Sequence, residues 1–310
     1  MPTRSREGEG SVSCRKWYCA TERIGLFALA HRAWRADSRR RAGAVVGMHG
    51  PRRIVCLTEE PTEVLYALEE QHRIVGISGF TVRPRRARLE KPKVSAFTSA
   101  KVDAILALRP DLAIGFSDIQ ADVARSLISA GVEVWISNHR SVAGIIDYVH
   151  RLGALVGAAD RASAYARELE RHVQSVRVLA DALPRHPRVF FEEWDEPIIS
   201  GIRWVAELVR IAGGVDVFPE LAEEPLARNR IIVDPGEVAR RDPEIVFGSW
   251  CGKRFRPEKV AARPGWHAMH AVRSGQLHEI RSPVILQPGP AALTDGLDLL
   301  HAHIRAWAGC

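Results

Sequence analysis

The sequence predicts an α/β protein with two lobes, each built on a mostly parallel sheet, joined by a single long α-helix. Short apolar runs alternate with helical patterns before residue 140 and again after residue 185, a pattern typical of parallel sheets covered by helices. Residues 141–184 lie between them and carry apolar side chains at helical spacing. Residues 103–115 (DAILALRPDLAIG) and 236–248 (GEVARRDPEIVFG) align without a gap. Each has a short helix, a stop at proline and a strand ending in glycine, which indicates related halves.

The first lobe is predicted over residues 48–140. Its helices are expected around Val64, Val102 and Val123, and Pro61 suits a first helical turn. Residues 79–99 mix proline, arginine and glycine, so they are expected to form a loop. The strands are expected at residues 54–57, 74–77, 112–115 and 132–136.

The linking segment is predicted over residues 141–184. Its helical pattern breaks at Gly157 and restarts after Asp160, a good N-cap residue. About 23 residues at a rise of 1.5 Å would make a helix roughly 34 Å long, which is enough to cross a small domain. The alternative is an ordinary core helix of one domain.

The second lobe is predicted over residues 185–310. Its strands are expected at residues 189–191, 245–247 and 276–280, and its helices at 203–212 and 234–241. A terminal helix carries apolar residues at alternating spacings of four and three, which is a helical pattern. These residues are Leu293, Leu297, Leu300, Ile304 and Trp307.

Residues 1–47 lack a sustained period and are expected to be a disordered or mis-annotated extension, with Met48 as a natural start. Residues 24–30 form an apolar run that resembles the core of an export signal. The run is short and follows Thr21-Glu22, so a cytoplasmic location is predicted, with periplasmic export as the alternative. The net charge of +7 is concentrated in this extension, and no basic cluster with interleaved aromatics follows, so no nucleic-acid partner is expected.

Candidate functional residues follow the predicted strands. In parallel sheets the loops after the strand ends line the ligand crevice. Residues 192–196 combine four carboxylates with Trp194, which suits acid–base chemistry, a hard cation or only a solvated loop. Trp250 and Cys251 follow the strand at 245–247, and Cys251 reads as a soft metal ligand or a structural cysteine rather than a nucleophile. Loop arginines, either solvated or in contact with an anionic ligand, are Arg83, Arg85, Arg86 and Arg88.

Residues 52–308 resemble the substrate-binding proteins of vitamin B12 and iron–siderophore ABC importers. The likeness rests on RIVCLTEEPTEVLYAL, FFEEWDEPIISGIRWVAELVRIAGG and DPEIVFGSWCG, and most specifically on VDAILALRPDLAIGF at residues 102–116. The resemblance implies two Rossmann-like lobes joined by one long helix, the class III periplasmic-binding-protein arrangement, with the ligand held between the lobes. The likeness is greatest to the cobalamin-binding branch.

Compared residue by residue, this sequence keeps some functional positions of the family it resembles and lacks others. Phe116 stands where B12 binders have a corrin-contacting tryptophan, and Asp103 matches an acid that docks on the importer. The second docking acid falls on Gly236, with Glu237 one position along. Cys251-Gly252 is similar to a Cys-Gly pair in relatives that lack an export signal, whereas Ile198 and Arg230 replace aromatic corrin contacts.

The sequence therefore predicts a non-catalytic binding protein. Its bound ligand would be cobalamin or a ferric chelate, with no catalytic cofactor and no assigned metal ligand in the protein. An ABC importer permease is the expected partner, docked through Asp103 and Glu237. The alternatives are a ferric-siderophore binder, favoured by the loop arginines, and an enzyme acting on corrinoids or small acids through Glu192, Glu193 or Cys251. The predicted ligand-binding residues are Phe80, Phe116, Glu193, Trp194, Trp250 and Cys251.

Overall fold

The computed structural model describes residues 50–96 and 100–309. The predicted extension at residues 1–47 lies outside them. The described chain forms two five-stranded sheets that follow one another along the sequence.

The first sheet has the strand order β3-β2-β1-β4-β5 and is parallel throughout. We call this sheet with helices α1–α4 the first lobe. Its strands are β1 (Ile54–Cys56), β2 (Ile74–Ser78), β3 (Lys93–Ser95), β4 (Leu112–Phe116) and β5 (Glu133–Ser137). Its helices are α1 (Glu60–Ala67), α2 (Ala87–Glu90), α3 (Val102–Ala107) and α4 (Ala121–Ser129).

The prediction of a loop over residues 79–99 is wrong. That segment contains helix α2 and edge strand β3, which pairs with β2. Strand β3 has three residues, and Val94 is its only buried hydrophobic one. A period of two cannot be recognised over so few residues.

The second sheet has the order β10-β9-β6-β7, and β8 also pairs with β6. We call this sheet with helices α7–α12 the second lobe. Only β7 is antiparallel among its pairs. Its strands are β6 (Arg188–Asp195), β7 (Ile198–Ser200), β8 (Val215–Asp216), β9 (Ile245–Gly248) and β10 (Leu277–Glu279). Its helices are α7 (Arg203–Ile211), α8 (Pro219–Ala222), α9 (Pro235–Arg241), α10 (Pro257–Ala261), α11 (His270–Arg273) and α12 (Ser282–Ile285).

The two segments that align in sequence, residues 103–115 and 236–248, occupy equivalent positions in the two sheets. Helix α3 leads into β4, and helix α9 leads into β9. Strand β4 pairs with β1, and β9 pairs with β6, so each follows the same path beside the first strand of its sheet. The two lobes therefore share one order of connection, as the alignment predicts.

Two packed helices, α5 (Val142–Leu155) and α6 (Ala159–Asp181), connect the lobes. Ser141 caps α5, because its hydroxyl accepts a hydrogen bond from the Gly144 amide at 3.0 Å. Helix α6 has the predicted 23 residues. It begins one residue before Asp160, which lies in its first turn rather than at its cap. An added methyl on Gly153 of α5 would lie 2.1 Å from the Ala162 Cβ atom, so the helices touch closely there.

The linking helices belong to a core that continues into both lobes. Helix α6 packs on α5, on α7 and on the last helix, α13 (Leu297–Ala308). One cluster of buried apolar side chains contains Ile114 of the first sheet, Leu169 of α6 and Phe247 of the second sheet. Close packing of this kind resists shear, so we expect small rather than large movements between the lobes. The predicted domain limits at residues 140 and 185 stay a prediction.

Candidate functional site

Buried polar side chains collect at the ends of the parallel strands. Ser117 and Ser249 directly follow β4 and β9, and each is 1% exposed. Buried polar groups normally have hydrogen-bond partners, and each exception calls for an explanation such as a ligand or a water molecule. Several side-chain atoms near these strand ends have none among the described residues. They are Thr81 Oγ1, Ser117 Oγ, Ser249 Oγ, Glu59 Oε2 and Glu60 Oε2.

Two buried carboxyl groups lie where β1 turns into α1. Glu59 is 7% exposed and Glu60 is 1% exposed. The Thr58 hydroxyl donates to Glu60 Oε1 at 2.5 Å. Burial raises the pKa of Glu59 to about 8 and that of Glu60 to about 7. Near pH 7 Glu59 is therefore mostly protonated and can donate a hydrogen bond, whereas Glu60 is only partly protonated. The sequence reasoning did not select them, although two acids directly after an apolar strand were a visible signal.

This burial predicts a dependence of stability on pH. The ordinary pKa of Glu59 is 4.5, so at a pH between that value and about 8 the folded chain keeps a proton that the unfolded chain loses. Stability then falls as the pH rises, by about 1.4 kcal/mol per pH unit for one such proton. His139 and His278, with pKa values lowered to about 4 by burial, act in the opposite sense below pH 6.5. We therefore expect the free energy of unfolding in urea to fall between pH 6.5 and 8.5.

The Glu59→Gln variant is the control for this prediction. Glutamine keeps the size of the side chain and does not titrate, so the slope above pH 6.5 should become clearly shallower. An unchanged slope in this variant would show that other groups carry the pH dependence.

Cys251 lies in the loop between β9 and α10 and is exposed. Burial of the sulfur raises the pKa of its thiol, and the charges of Glu59 and Glu193 raise it further. Glu59 belongs to the first lobe, and Glu193 lies on β6 of the second. Carboxyl groups of both lobes therefore act electrostatically on this thiol.

Glu193 forms a two-pronged ion pair with Arg230. The two nitrogen–oxygen distances are 2.6 and 3.1 Å, and Arg230 is 1% exposed. The same guanidinium donates to the Ser200 carbonyl, while its Nε has no partner among the described residues. The predicted site residue Glu193 is thus fixed at the strand end by a buried cation.

The acidic segment 192–196 is not the loop that the sequence predicted. Residues up to Asp195 extend β6 and form a hairpin with β7, with a bulge between Glu192 and Trp194. Each carboxylate has a cationic partner: Arg263 for Glu192, Arg230 for Glu193, Lys253 and Lys259 for Asp195, and Lys259 for Glu196. These positive charges compete with a hard cation for the same oxygens.

The four predicted aromatic contacts fall into two groups. Phe80 is 46% exposed and follows β2, and Trp194 is half-buried at the end of β6. Lys253 Nζ lies 4.1 Å from the Trp194 ring centre, and the indole N–H donates to the Glu196 carbonyl at 2.9 Å. These two rings retain exposed surface.

Phe116 and Trp250 are buried instead, at 4% and 3% exposure. The Phe116 ring meets His139 of the first lobe and Trp204 of the second edge-on, at centroid distances of 5.4 and 6.1 Å. Trp250 packs on Phe255 and donates its indole N–H to Glu192 at 2.9 Å. The sequence correctly predicted that both rings lie at strand ends. It did not indicate that other side chains pack against them.

The two predicted docking acids lie on equivalent helices. Asp103 is exposed in the first turn of α3. Glu237 is half-buried in the first turn of α9 and pairs with Arg240 and Arg241. Hydrogen bonds from these arginines, that of Arg241 first, lower the pKa of Glu237.

Residues 50–96 and 100–309 contain neither a multi-residue metal site nor a membrane-spanning helix. No group of three or more His, Cys, Asp or Glu side chains could hold a metal ion. In the same residues no helix has the length and apolar character needed to cross a membrane.

Known proteins share this architecture. The family model described as "Periplasmic binding protein" matches residues 54–284. A vitamin B12-binding protein of Vibrio vulnificus is 27% identical over 248 residues, which cover 78% of this chain and 86% of that protein. The crystal structure of the periplasmic vitamin B12-binding protein BtuF of Vibrio cholerae aligns with a TM-score of 0.65 and 22% identity, covering 83% of this chain and 98% of that one. A periplasmic heme-binding protein of Pseudomonas aeruginosa gives 0.70 and 23%, covering 83% and 93%.

These matches confirm the predicted fold class and correct the predicted location. Two mostly parallel sheets with a long linking helix are common to this chain and its structural neighbours. The predicted cytoplasmic location is wrong, because the matching family consists of periplasmic binding proteins and the similar B12-binding structure is described as periplasmic. The prediction was based on residues 24–30, which lie outside the described residues.

Proposed function

The chain belongs to the periplasmic binding protein family, and from that premise we propose that it binds cobalamin, or a related metal chelate, between its lobes without catalysis. The named relatives bind vitamin B12 or heme. The ligand contacts would come from Phe80, Trp194 and Cys251. Phe116, Glu193 and Trp250 would hold those contacts in place, since each is buried or paired.

One observation carries the choice of cobalamin: the unpartnered polar groups at the strand ends are three hydroxyls and two carboxyl groups that burial keeps at least partly protonated near neutral pH. They are the hydroxyls of Thr81, Ser117 and Ser249, and the carboxyl groups of Glu59 and Glu60, whose pKa values burial raises to about 8 and about 7. Cobalamin carries neutral amide side chains around its corrin ring, which both donate and accept hydrogen bonds. Heme carries carboxylates, and none of these five groups is a cation that would pair with them.

The siderophore alternative was favoured by the loop arginines, and three of these have partners. Arg83 pairs with Glu63 and Asp295. Arg86 lies 3.7 Å from a Glu90 oxygen, and Arg88 donates to the carbonyls of Gly79 and Thr81 at 2.9 and 2.7 Å. An anionic chelate would have to compete with these contacts, so the arginines favour it less than their number suggests.

The enzymatic alternative assigned the chemistry to Glu192, Glu193 or Cys251. Glu192 and Glu193 are both bound by arginines. The pKa of the Cys251 thiol is raised, which lowers its thiolate fraction and so its nucleophilicity. These features favour binding over catalysis.

A membrane permease is the partner that this proposal implies. Asp103 is exposed on α3 and free to meet a cationic surface, whereas Glu237 is already paired with two arginines. We therefore propose that docking depends more on the first lobe than on the second.

Titration with cyanocobalamin tests the proposed function. Binding should quench tryptophan fluorescence, because Trp194 lies at the proposed site, and should change the corrin absorbance at a stoichiometry of one. Hemin and a ferric siderophore serve as competitors. Tighter binding of either would replace cobalamin as the ligand, and binding of none would refute the proposal.

Phe80→Ala tests the aromatic wall of the site. Fully burying such a ring is worth about 1.5–3 kcal/mol, and Phe80 is 46% exposed, so about half of that value remains to be gained on binding. We expect cyanocobalamin affinity to fall about threefold to tenfold, with an unchanged melting temperature.

Ile128→Ala is the matched control for Phe80. Ile128 is 62% exposed and lies near the end of α4. Helix α4 begins near the carboxyl end of β4 and runs towards the amino ends of the strands. Ile128 therefore lies at the end of the sheet opposite the proposed binding site. Its replacement should leave affinity unchanged, and equal losses in both variants would argue against a ligand contact at Phe80.

A further inference from the structure

We propose that residues 286–296 form a strap that joins the lobes beside the cleft and slows release of the ligand, and that Arg83 is the positioning residue that holds it. This inference rests on the proposed function, because it names what retains a ligand between the lobes. The strap connects helix α12 of the second lobe to helix α13, whereas Arg83 follows β2 of the first lobe.

The strap is buried although it connects two helices. Residues 287–293 are all buried, whereas connecting segments usually run over the surface. The strap also contains a π-helical turn, Ala292–Gly296. Such turns are rare and are frequent at functional sites. These features indicate a segment that is held by contacts on more than one side.

The first part of the strap lies directly against the first lobe. The His139 Nε2 atom donates to the Pro288 carbonyl oxygen at 2.7 Å. A methyl group added to Gly289 would lie 2.9 Å from the Cβ atom of Glu60 and 3.4 Å from its Cα atom. The strap therefore touches two separate elements of the first lobe, the segment after β5 and the start of α1.

Arg83 and Glu63 hold the second part of the strap. Arg83 Nε donates to Glu63 Oε1 at 3.1 Å, and its Nη1 pairs with Asp295 of the strap. Glu63 Oε2 accepts a hydrogen bond from the Ala291 amide at 3.2 Å. The side chains of Glu63 and Arg83 are 15% and 36% exposed, so solvent screens this pair less than one on the open surface. One guanidinium and its partner carboxylate thus tie the strap to α1 at two points.

These contacts lie at the edge of each sheet that faces the cleft. In the first lobe, α1 follows β1, Arg83 follows β2 and His139 follows β5. In the second lobe, α12 follows β10, and the Trp204 indole N–H donates to the Ile285 carbonyl of α12 at 2.9 Å. The carboxyl ends of parallel strands line the ligand crevice. The strap therefore runs from one wall of the cleft to the other, and moving the lobes apart breaks its contacts.

The test measures release of cyanocobalamin from the loaded full chain by stopped-flow fluorescence. Arg83→Ala and Asp295→Ala should each release it about twofold to tenfold faster, since a partly exposed pair contributes modestly. The association rate should stay the same. The double variant should release it no faster than Arg83→Ala, because both changes remove the same contact. Arg86→Ala is the matched control, since Arg86 pairs within the first lobe with Glu90 at 3.7 Å, and its release rate should not change.

Gly289→Ala loosens the strap without changing any charge, because its methyl group would push the backbone away from α1. It should also speed release. In the ligand-free chain, amide hydrogens of residues 286–296 should exchange faster in this variant and in Arg83→Ala. Exchange in β9 should stay unchanged, which separates a loosened strap from a general loss of stability.

The outcomes separate this inference from the proposed function. Unchanged exchange of the strap in Arg83→Ala refutes the inference, and so does faster exchange with unchanged release, while cobalamin binding stands in both cases. If the unaltered chain does not bind cyanocobalamin, the proposed ligand is wrong, and the same variants are tested with hemin or the ferric siderophore that binds instead. Binding of none of these ligands refutes both proposals.

Discussion

Replacing Arg263 by alanine is expected to destabilise the protein by about 3–5 kcal/mol, because it leaves a buried charge without its partner. Arg263 holds both oxygens of Glu192, at 2.5 and 2.8 Å. Glu192 is 0% exposed, and one of its oxygens also accepts the Trp250 indole N–H. Burial raises the pKa of Glu192 even with Arg263 beside it. The measurement is the free energy of unfolding in urea.

The loss of stability in Arg263→Ala should depend on pH and on the charge of Glu192. At pH 5 the orphaned Glu192 can take up a proton, so Arg263→Ala should cost less there than at pH 8. Adding Glu192→Gln should recover part of the loss, because the amide carries no charge and can still accept from Trp250.

Arg240→Ala is the matched control for this prediction. Arg240 pairs with Asp234 and Glu237, but its side chain is 62% exposed. Exposed ion pairs contribute about 0–1 kcal/mol. Similar losses for Arg240→Ala and Arg263→Ala would show that burial of Glu192 has little energetic consequence.

Loss of this network would also affect the site. Trp250 is fixed by Glu192, and Cys251 follows it directly. We therefore expect Arg263→Ala to weaken cyanocobalamin binding as well, although Arg263 itself is not a proposed ligand contact.

The fold was largely predictable because its central strands are continuous apolar runs. Residues 54–57 and 245–247 are fully buried, which leaves a signal in the sequence that needs no periodicity. The elements that were missed are short and lie at edges. Strand β8 has two residues and β3 has three, so neither contains enough positions to show a pattern.

The extent of β6 was underestimated for a different reason. Glu192, Glu193 and Asp195 read as a polar loop, yet they continue the strand because arginines and lysines from later in the chain neutralise them. Such partners lie 37 to 71 positions away in sequence. Local composition does not contain that information.

The sequence predicted where the aromatic residues of the candidate site lie, but not how their rings are oriented. Parallel strands bring their carboxyl ends to one edge, so Trp194, Trp250 and Phe116 were correctly expected at strand ends. Which face each ring shows depends on the bulge in β6 and on neighbours from other elements. The buried carboxyl groups of Glu59 and Glu60 were overlooked because acidic residues in a loop are usually solvated.

Phe116→Ala is expected to destabilise the protein by about 3–5 kcal/mol, the usual cost of removing a buried phenylalanine ring. The ring fills the space between His139 and Trp204, which belong to different lobes. His139 itself reaches the second lobe, where its Nε2 lies 2.7 Å from the Pro288 carbonyl oxygen. Since that nitrogen must donate, the neutral ring carries its proton there, as the pKa lowered by burial to about 4 requires. The aromatic contacts and this hydrogen bond together hold the lobes in register.

Affinity and stability measured on the same variants decide between the two roles for Phe116. If the ring joins the lobes, Phe116→Ala should lower the free energy of unfolding strongly, and cyanocobalamin affinity should fall because the lobes are less well held. Phe116→Leu keeps most of the apolar volume and should recover most of the stability and affinity. A variant with unchanged stability and at least tenfold weaker binding would instead make Phe116 a direct ligand contact, as its resemblance to a corrin-contacting position implies.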